Sequence, residues 1–155
     1  MRLQNKVAIV TASTRGIGLA CAERLAREGA TVYMGARNLE RAREIAEALN
    51  QEGCNVKVVY NDATVKESYK SMIEEVAKEE GKIDILVNNY GGSDPKIDLD
   101  IKNTDYEAFI HTIDMNLASV FLTAQAAIPH MAAHGGGSII NISSIGGIRP
   151  DISQI

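Results

Sequence analysis

The chain has 155 residues, 45% of them hydrophobic, and a formal net charge of −4 at pH 7. This length supports one hydrophobic core, so we expect a single domain over residues 1–155. The acidic balance and the scattered basic residues argue against a nucleic-acid partner, whose phosphates require clustered Lys and Arg. The first apolar run is interrupted by Thr11 and is too short for a signal peptide or a membrane span, so we expect a cytoplasmic protein.

The predicted elements alternate between strands and helices along the chain. Short runs rich in β-branched residues predict strands at 7–11, 31–36, 56–60, 83–87 and 138–142. Apolar residues at helical spacing predict helices after Gly18, over 39–49, over 69–76 and from about 105 to 134. This alternation is typical of an α/β fold, a doubly wound parallel sheet with helices on both faces, which is the Rossmann arrangement.

The first strand ends in a turn of small residues that leads directly into a helix. The turn consists of Ser13, Thr14, Arg15, Gly16, Ile17 and Gly18. A helix N-terminus directs unpaired N–H groups and the positive end of its dipole at such a turn, which makes it a candidate anion-binding site. On its own, the pattern also fits a tight turn that only packs a helix against a strand. Ala12 precedes the turn and must keep a negative φ or carry strain.

Two motifs resemble those of the short-chain dehydrogenase/reductase family. The segment from Thr11 to Gly18 resembles its Thr-Gly-x-x-x-Gly-x-Gly cofactor motif, with Ala12 in place of the first glycine. Asn88-Asn89-Tyr90-Gly91 resembles its Asn-Asn-Ala-Gly motif, with a tyrosine that would either cover the cofactor or shape the mouth of the substrate site. The resemblance covers essentially the whole chain and implies an oxidoreductase that moves a hydride between a nicotinamide cofactor and a secondary alcohol or ketone.

Arg37, directly after the second strand, indicates which nicotinamide cofactor binds. In dinucleotide-binding folds an acidic residue at this place accepts hydrogen bonds from the 2′-hydroxyl of the adenosine ribose, whereas a basic residue pairs with a 2′-phosphate. Ala36 leaves out the acid, and Arg37 and Arg15 supply guanidinium groups that suit phosphate. We therefore expect NADP rather than NAD, although either arginine alone would also fit a solvated surface charge.

The resemblance implies further cofactor contacts at the ends of the third and fourth strands. Asp62 matches the family's acidic position at the adenine edge, with Ala63 beside it, and Asn89 and Gly91 would line the ribose. Asp62 also fits ordinary turn chemistry, because Asx side chains bond nearby backbone groups. Likewise, runs of Asn and Gly end many strands that bind nothing.

Ser144 and Asn116 are the catalytic candidates that the resemblance implies. Ser144, the second serine of an Asn-x-Ser-Ser arrangement, would hydrogen-bond the substrate oxygen, with Ser143 as the alternative and a plain serine-rich loop as the non-catalytic explanation. Asn116 lies beside an apolar stripe over 109–120 and would hold a water in a proton-relay chain. A buried carboxamide needs partners in any case, so a kink or an inter-helix hydrogen bond would also explain it.

Further short motifs narrow the substrate. Within the family, one combination of motifs resembles clostridial NADP-dependent 7α-hydroxysteroid dehydrogenases, which implies a bile-acid substrate. The motifs are Ser-Thr-Arg-Gly-Ile-Gly at 13–18, Asn-Asn-Tyr-Gly-Gly at 88–92, Ile-Pro-His-Met at 128–131, Gly-Gly-Gly-Ser-Ile at 135–139 and Pro-Asp-Ile-Ser at 150–153. A 3-oxoacyl carrier-protein reductase shares every motif, and a non-catalytic nucleotide-binding or oligomerisation module also stays open. The long helix and the family resemblance predict a homo-oligomer, with a tetramer as the family's usual assembly.

The family's general acid/base lies in a Tyr-x-x-x-Lys motif that would begin just beyond Ile155. We therefore expect this chain to be the N-terminal portion of a single-domain enzyme and to be inactive alone.

His130 and His134 stand one helical turn apart, a spacing that can bind metal, but no further ligand cluster completes a site. No metal is expected, and the two histidines instead complement the negative end of their helix.

Overall fold

The computed structural model of the chain describes residues 1–147, so the segment 150–153 lies outside the described residues. The strands are β1 (Val7–Thr11), β2 (Thr31–Ala36), β3 (Asn55–Tyr60), β4 (Ile85–Asn88) and β5 (Ser138–Asn141). The helices are α1 (Gly16–Arg27), α2 (Leu39–Gln51), α3 (Glu67–Glu80), α4 (Tyr106–Ile113) and α5 (Ser119–Ala133). A π-helical turn at Asp114–Ala118, hereafter the π turn, joins α4 to α5, and a short 3₁₀ helix occupies Ile145–Gly147.

The five strands form one parallel sheet in the order β3-β2-β1-β4-β5. Ile9 of β1 lies beside Tyr33 of β2 on one side and Leu86 of β4 on the other. The chain builds outward from β1 in one direction and then returns to add β4, so the gap between β1 and β4 is a topological switch point. Ligands of open α/β sheets bind beyond the carboxyl ends of the strands at this place. The predicted fold class is confirmed.

Helices cover both faces of the sheet because alternate side chains of each strand point to opposite faces. On one face Ala8 and Val10 pack with α1 and α2, where the small residues Ala22 and Ala26 allow close approach of α1. On the other face Ile9 packs with side chains of α3 and α5. Ile9 is fully buried, so its truncation to alanine would cost about 2–5 kcal/mol.

The predicted long helix from about 105 to 134 is present as a helical segment from Tyr106 to Ala133, and the π turn interrupts the α-helical hydrogen bonding in its middle. The apolar stripe predicted along it is not buried by the described residues, since Phe109, Ile113 and Leu117 are 46%, 40% and 62% exposed. A different row, which includes Ser119 and Met131, faces the sheet from α5. None of the helices in the described part of the chain is long and apolar enough to cross a membrane.

Candidate active site

The turn between β1 and α1 leaves a helix N-terminus open towards the carboxyl edge of the sheet. Helix α1 begins at Gly16, three residues earlier than the predicted start after Gly18, and no side chain within residues 1–147 caps it. Its first N–H groups are thus available to an anion, and the helix dipole favours negative charge there. Ala12 has φ 49°, so the strained alternative for this residue is the one that the structure adopts.

Gly18 fits the turn because its position has no room for a side chain. A Cβ atom there would lie 2.5 Å from the carbonyl oxygen of Ala12 and 2.5 Å from Nδ2 of Asn89. That same Nδ2 donates to the carbonyl oxygens of Thr11 at 3.3 Å and Ala12 at 3.2 Å. Asn89 therefore holds the turn in place from the neighbouring strand end, and Gly18 allows the contact.

Thr11 joins the ends of β1 and β4 across the switch point. Its side chain is buried, and its hydroxyl oxygen accepts from the backbone N–H of Asn89 at 2.9 Å and of Tyr90 at 3.1 Å. The sequence analysis missed this contact, and a lone hydroxyl in an apolar strand is the signal that could have indicated it. The two bonds fix the path of the Asn-Asn-Tyr-Gly segment as it leaves the sheet.

A cavity of about 360 Å³, the smaller cavity, opens beyond the ends of β2 and β3. The predicted cofactor residues on its walls are Thr14, Arg15, Arg37, Asp62 and Ala63. Arg41, in the first turn of α2, also lines it and was missed by the sequence analysis. Arg41 pairs with Glu44 at 2.8 Å, whereas among the described residues Arg15 and Arg37 form no ion pair. The smaller cavity is therefore electropositive.

Asp62 is the carboxylate of the smaller cavity. Partial burial alone would raise its pKa, but the backbone N–H and hydroxyl of Thr64, which donate at 2.9 and 2.8 Å, together with the nearby Arg37, hold that pKa below its ordinary value. The Asx turn expected from the sequence is thus present, and Asp62 still lines the smaller cavity. The contact of Asp62 with the adenine edge of a cofactor stays a prediction.

Tyr69 of α3 holds the backbone at Ala63, which lines the smaller cavity. Its hydroxyl donates to the carbonyl oxygen of Ala63 at 3.4 Å, and its side chain is buried. Burial raises the pKa of Tyr69 to about 12, so the phenol stays protonated and remains a donor at neutral pH.

A cavity of about 750 Å³, the larger cavity, opens beyond the ends of β1, β4 and β5. The predicted site residues on its walls are Arg15, Gly16, Ile17, Asn89, Gly91, Asn116 and Ser144. The structure thus brings both catalytic candidates to one cavity although they lie far apart in sequence.

Ser13 and Gly18 line neither cavity. Ser13 is buried, and its hydroxyl donates to the carbonyl oxygen of Gly35 at 3.4 Å.

Asn116 is fully bonded within the π turn and the loop after β4. Its Nδ2 donates to the carbonyl oxygens of Gly92 at 2.8 Å and Thr112 at 2.9 Å, and its Oδ1 accepts from the N–H of Gly92 at 2.9 Å. Gly91 is adjacent, and a Cβ atom on it would come within 3.0 Å of Oδ1. Its partners are backbone groups of the loop after β4 and of the preceding helical turn, not of another helix, so the inter-helix hydrogen bond considered from the sequence is not what satisfies Asn116.

Ser144 lies in the loop after β5 and is exposed. Its Oγ accepts from the N–H of Gly146 at 3.2 Å, which leaves the hydroxyl proton available for another partner. Ser143 lines the larger cavity as well, so position alone does not separate the two serines.

His130 of α5 and His134, the residue directly after this helix, each have a partner within the described part of the chain. Nε2 of His130 lies 3.3 Å from Glu74, and Nδ1 of His134 lies 3.0 Å from the carbonyl oxygen of His130. Over residues 1–147, no group of three or more His, Cys, Asp or Glu side chains is arranged to hold a metal ion.

A family model for the short chain dehydrogenases matches residues 6–155, and the chain belongs to that family. It is 53% identical over 154 residues to a 7α-hydroxysteroid dehydrogenase of Clostridium sardiniense, covering 99% of this chain and 59% of that protein. It is also 37% identical over 156 residues to a 3-oxoacyl-(acyl-carrier-protein) reductase of Aquifex aeolicus, covering 62% of that protein. The chain therefore spans about three fifths of the length of these relatives.

Solved structures agree with this membership. A 7α-hydroxysteroid dehydrogenase complexed with NADH and 7-oxo glycochenodeoxycholic acid superimposes with a TM-score of 0.90 at 30% identity, over 98% of this chain and 58% of that one. The protein gox2181 gives the same TM-score at 32% identity. The predicted family is confirmed.

Proposed function

We propose that the complete protein is an oxidoreductase that transfers a hydride between NADP(H) and the 7α-hydroxyl, or the corresponding ketone, of a bile acid. The observation that carries this proposal is a pair of neighbouring cavities along the carboxyl edge of the sheet, hereafter the cofactor groove. The smaller cavity, with its guanidinium groups, forms one end, and the larger cavity, with Ser144, forms the other. Three described residues line both cavities: Ala12, Arg15 and Tyr90.

The described residues fit a phosphorylated dinucleotide. The open N-terminus of α1 would receive the pyrophosphate, while Arg37 and Arg15 would pair with a phosphate on the adenosine ribose. An acidic residue that would repel this phosphate is absent from the end of β2, where Ala36 stands. The solved relative is a complex with NADH, so the preference for NADP rests on these arginines. Asp62 and Asn89 would lie beside the adenine and the ribose.

When bound, the nicotinamide supplies the acceptor or donor of the hydride. The Ser144 hydroxyl would donate a hydrogen bond to the substrate oxygen and hold it against the cofactor. Asn116 would support proton transfer as a positioning residue, because its carboxamide holds the backbone at Gly92 on the wall of the larger cavity. The proton of the alcohol would pass to a base outside the described residues, which the family resemblance identifies as a tyrosine.

The experiment is an assay of the complete protein. A bile acid with a 7α-hydroxyl should reduce NADP, and its 7β epimer should not. Absorbance of the reduced nicotinamide measures the rate, and NAD in place of NADP tests the cofactor. Absence of turnover with every 7α-hydroxylated bile acid tested would overturn the proposal.

A 3-oxoacyl carrier-protein reductase is the second candidate, supported by the 37% identical relative from Aquifex aeolicus. Oxidation of NADPH by a 3-oxoacyl thioester, without activity on bile acids, would favour it.

Three expectations stay predictions: inactivity of the 155-residue chain alone, its role as a binding module and assembly into a tetramer. Size-exclusion chromatography with light scattering measures the last of these.

A further inference from the structure

We propose that the ring of Tyr90 is a wall of the cofactor groove and positions the dinucleotide where it passes from the smaller cavity to the larger one. This inference rests on the proposed function and assigns a role to a side chain that stands where the family motif has alanine. Tyr90 shares the junction of the two cavities with Ala12 and Arg15, which belong to the turn at the N-terminus of α1. A dinucleotide that extends from the smaller cavity to the larger one would therefore pass beside Tyr90.

Tyr90 is held at both ends before any ligand binds. Its backbone N–H donates to Oγ1 of Thr11 at 3.1 Å, and its hydroxyl lies 3.7 Å from Sδ of Met115 in the π turn. The side chain is half-buried, so one part packs on protein while the remainder faces the groove. A ring fixed in this way loses little conformational freedom on binding and can contribute contact area directly to affinity.

The contacts favour a role at the cofactor over a role at the mouth of the substrate site. A residue that shaped only the substrate site would line the larger cavity alone, as Ser144 and Met115 do. Tyr90 also lines the smaller cavity together with Arg37 and Asp62, which lie on the adenosine side. Truncation of the ring would widen the groove on both sides of the junction.

The test measures NADP(H) kinetics of the complete protein with Tyr90→Ala, Tyr90→Ser and Tyr90→Phe. Either truncation should raise the KM for NADP about tenfold, because the aromatic contact with the ribose is lost, and should leave kcat within about twofold. Tyr90→Phe should restore a KM within about twofold of the original, since the ring remains. Tyr106→Ala, which removes an exposed tyrosine of α4, is the matched control and should change neither value.

Several results would overturn the inference. An unchanged KM for NADP in both truncations removes the role, as does a Tyr90→Phe variant that is impaired as strongly as Tyr90→Ala. A raised KM for the alcohol with an unchanged KM for NADP would assign Tyr90 to the substrate site instead. If the unsubstituted protein neither binds nor reduces NADP, the proposed function itself fails, and the inference about Tyr90 fails with it. The assay of the unsubstituted protein therefore distinguishes this outcome from one in which only the role of Tyr90 is wrong.

Discussion

Asn116 and Gly92 form a reciprocal pair of hydrogen bonds, in which the carboxamide of one accepts from the backbone N–H and donates to the backbone carbonyl of the other. The pair fixes the loop after β4 to the π turn. Asn116→Asp would place a carboxylate against the carbonyl oxygens of Gly92 and Thr112. We expect the free energy of unfolding to fall by about 2 kcal/mol, because two acceptors lose their donor.

Urea denaturation at neutral pH measures this loss. Gln4→Glu, the same change from amide to acid on an exposed side chain, is the control and should alter stability by less than about 0.5 kcal/mol. Equal stability of Asn116→Asp and the original protein would mean that the pair is not energetically important.

Arg37→Ser should shift the cofactor preference. The guanidinium is expected to form charge-assisted hydrogen bonds with the 2′-phosphate of NADPH, and loss of such bonds costs about 1.5–3 kcal/mol, or roughly 10–100-fold in Kd. NADH lacks this phosphate, so its Kd should change little. Isothermal titration of the complete protein with both cofactors measures the two values, and Arg43→Ser, an exposed arginine of α2 outside the smaller cavity, is the control. Parallel loss of affinity for NADPH and NADH would contradict the assignment.

Asp84 should make stability depend on pH at the opposite edge of the sheet. Burial by itself would raise its pKa, but Lys6 at 2.8 Å, the N–H of Val7 at 2.9 Å and Lys82 at 3.1 Å lower it below the ordinary value. Because the folded-state pKa is depressed, the stabilisation is complete above the unfolded pKa of about 3.9 and is lost as pH falls through the folded value.

Asp84→Asn should therefore cost about 2 kcal/mol at pH 7, and this difference should shrink progressively below about pH 4. Denaturant titrations across this range measure the difference between the two proteins. Glu47→Gln, which neutralises an exposed carboxylate of α2, should show no comparable dependence. A penalty for Asp84→Asn that stays constant down to pH 2 would rule out the ion pairs as its source.

Ala12→Gly should stabilise the protein. The left-handed conformation of Ala12 costs about 1–2 kcal/mol, whereas the added freedom of glycine in the unfolded chain costs about 0.4–1 kcal/mol, so a net gain of about 0.5 kcal/mol is expected. Ala20→Gly, at an exposed position within α1, is the matched control and should destabilise by about 0.5–1 kcal/mol. Thermal unfolding shows whether the two changes have opposite signs, and loss of stability in both would contradict the argument.

Ser144→Ala should separate the two serines of the larger cavity. If Ser144 donates to the substrate oxygen, kcat of the complete protein should fall by about 10²–10³. Ser143→Ala should leave kcat within about tenfold, since that hydroxyl is expected to take no part in the reaction. Steady-state rates with NADP and the 7α-hydroxylated substrate give both values, and the opposite ranking would transfer the role to Ser143.

The sequence predicted the architecture and the edge that carries the site, because both follow from local patterns. Parallel strands place their ends together, so residues after β2 and β3, such as Arg37 and Asp62, had to meet at one edge. The structure brings them to one cavity. Arg41 was missed because it lies inside a helix, where a charge is ordinarily a solvated residue.

Features that depend on tertiary contacts were not predictable in this way. The left-handed backbone conformation of Ala12 accompanies a hydrogen bond from Asn89, which lies at the end of another strand. The local conformational preference of alanine does not predict this conformation. The π turn likewise coincides with the bonds between Asn116 and Gly92, two residues far apart in sequence. Apolar periodicity gave the existence of the helical segment and missed its interruption, and it could not say that Phe109 and Leu117 stay exposed in the described part of the chain.

The π turn also sets the rotational phase between α4 and α5. A turn bonded from residue i to i+5 holds one residue more than an α-helical turn, and one residue corresponds to about 100° of rotation about the helix axis. The side chains of α4, before Asp114, are consequently rotated about the helix axis relative to those of α5, after Ala118. Deleting a single residue there would remove this rotation, turn α4 relative to the sheet and swing the carboxamide of Asn116 away from its partner, so the length of this segment is as constrained as its composition.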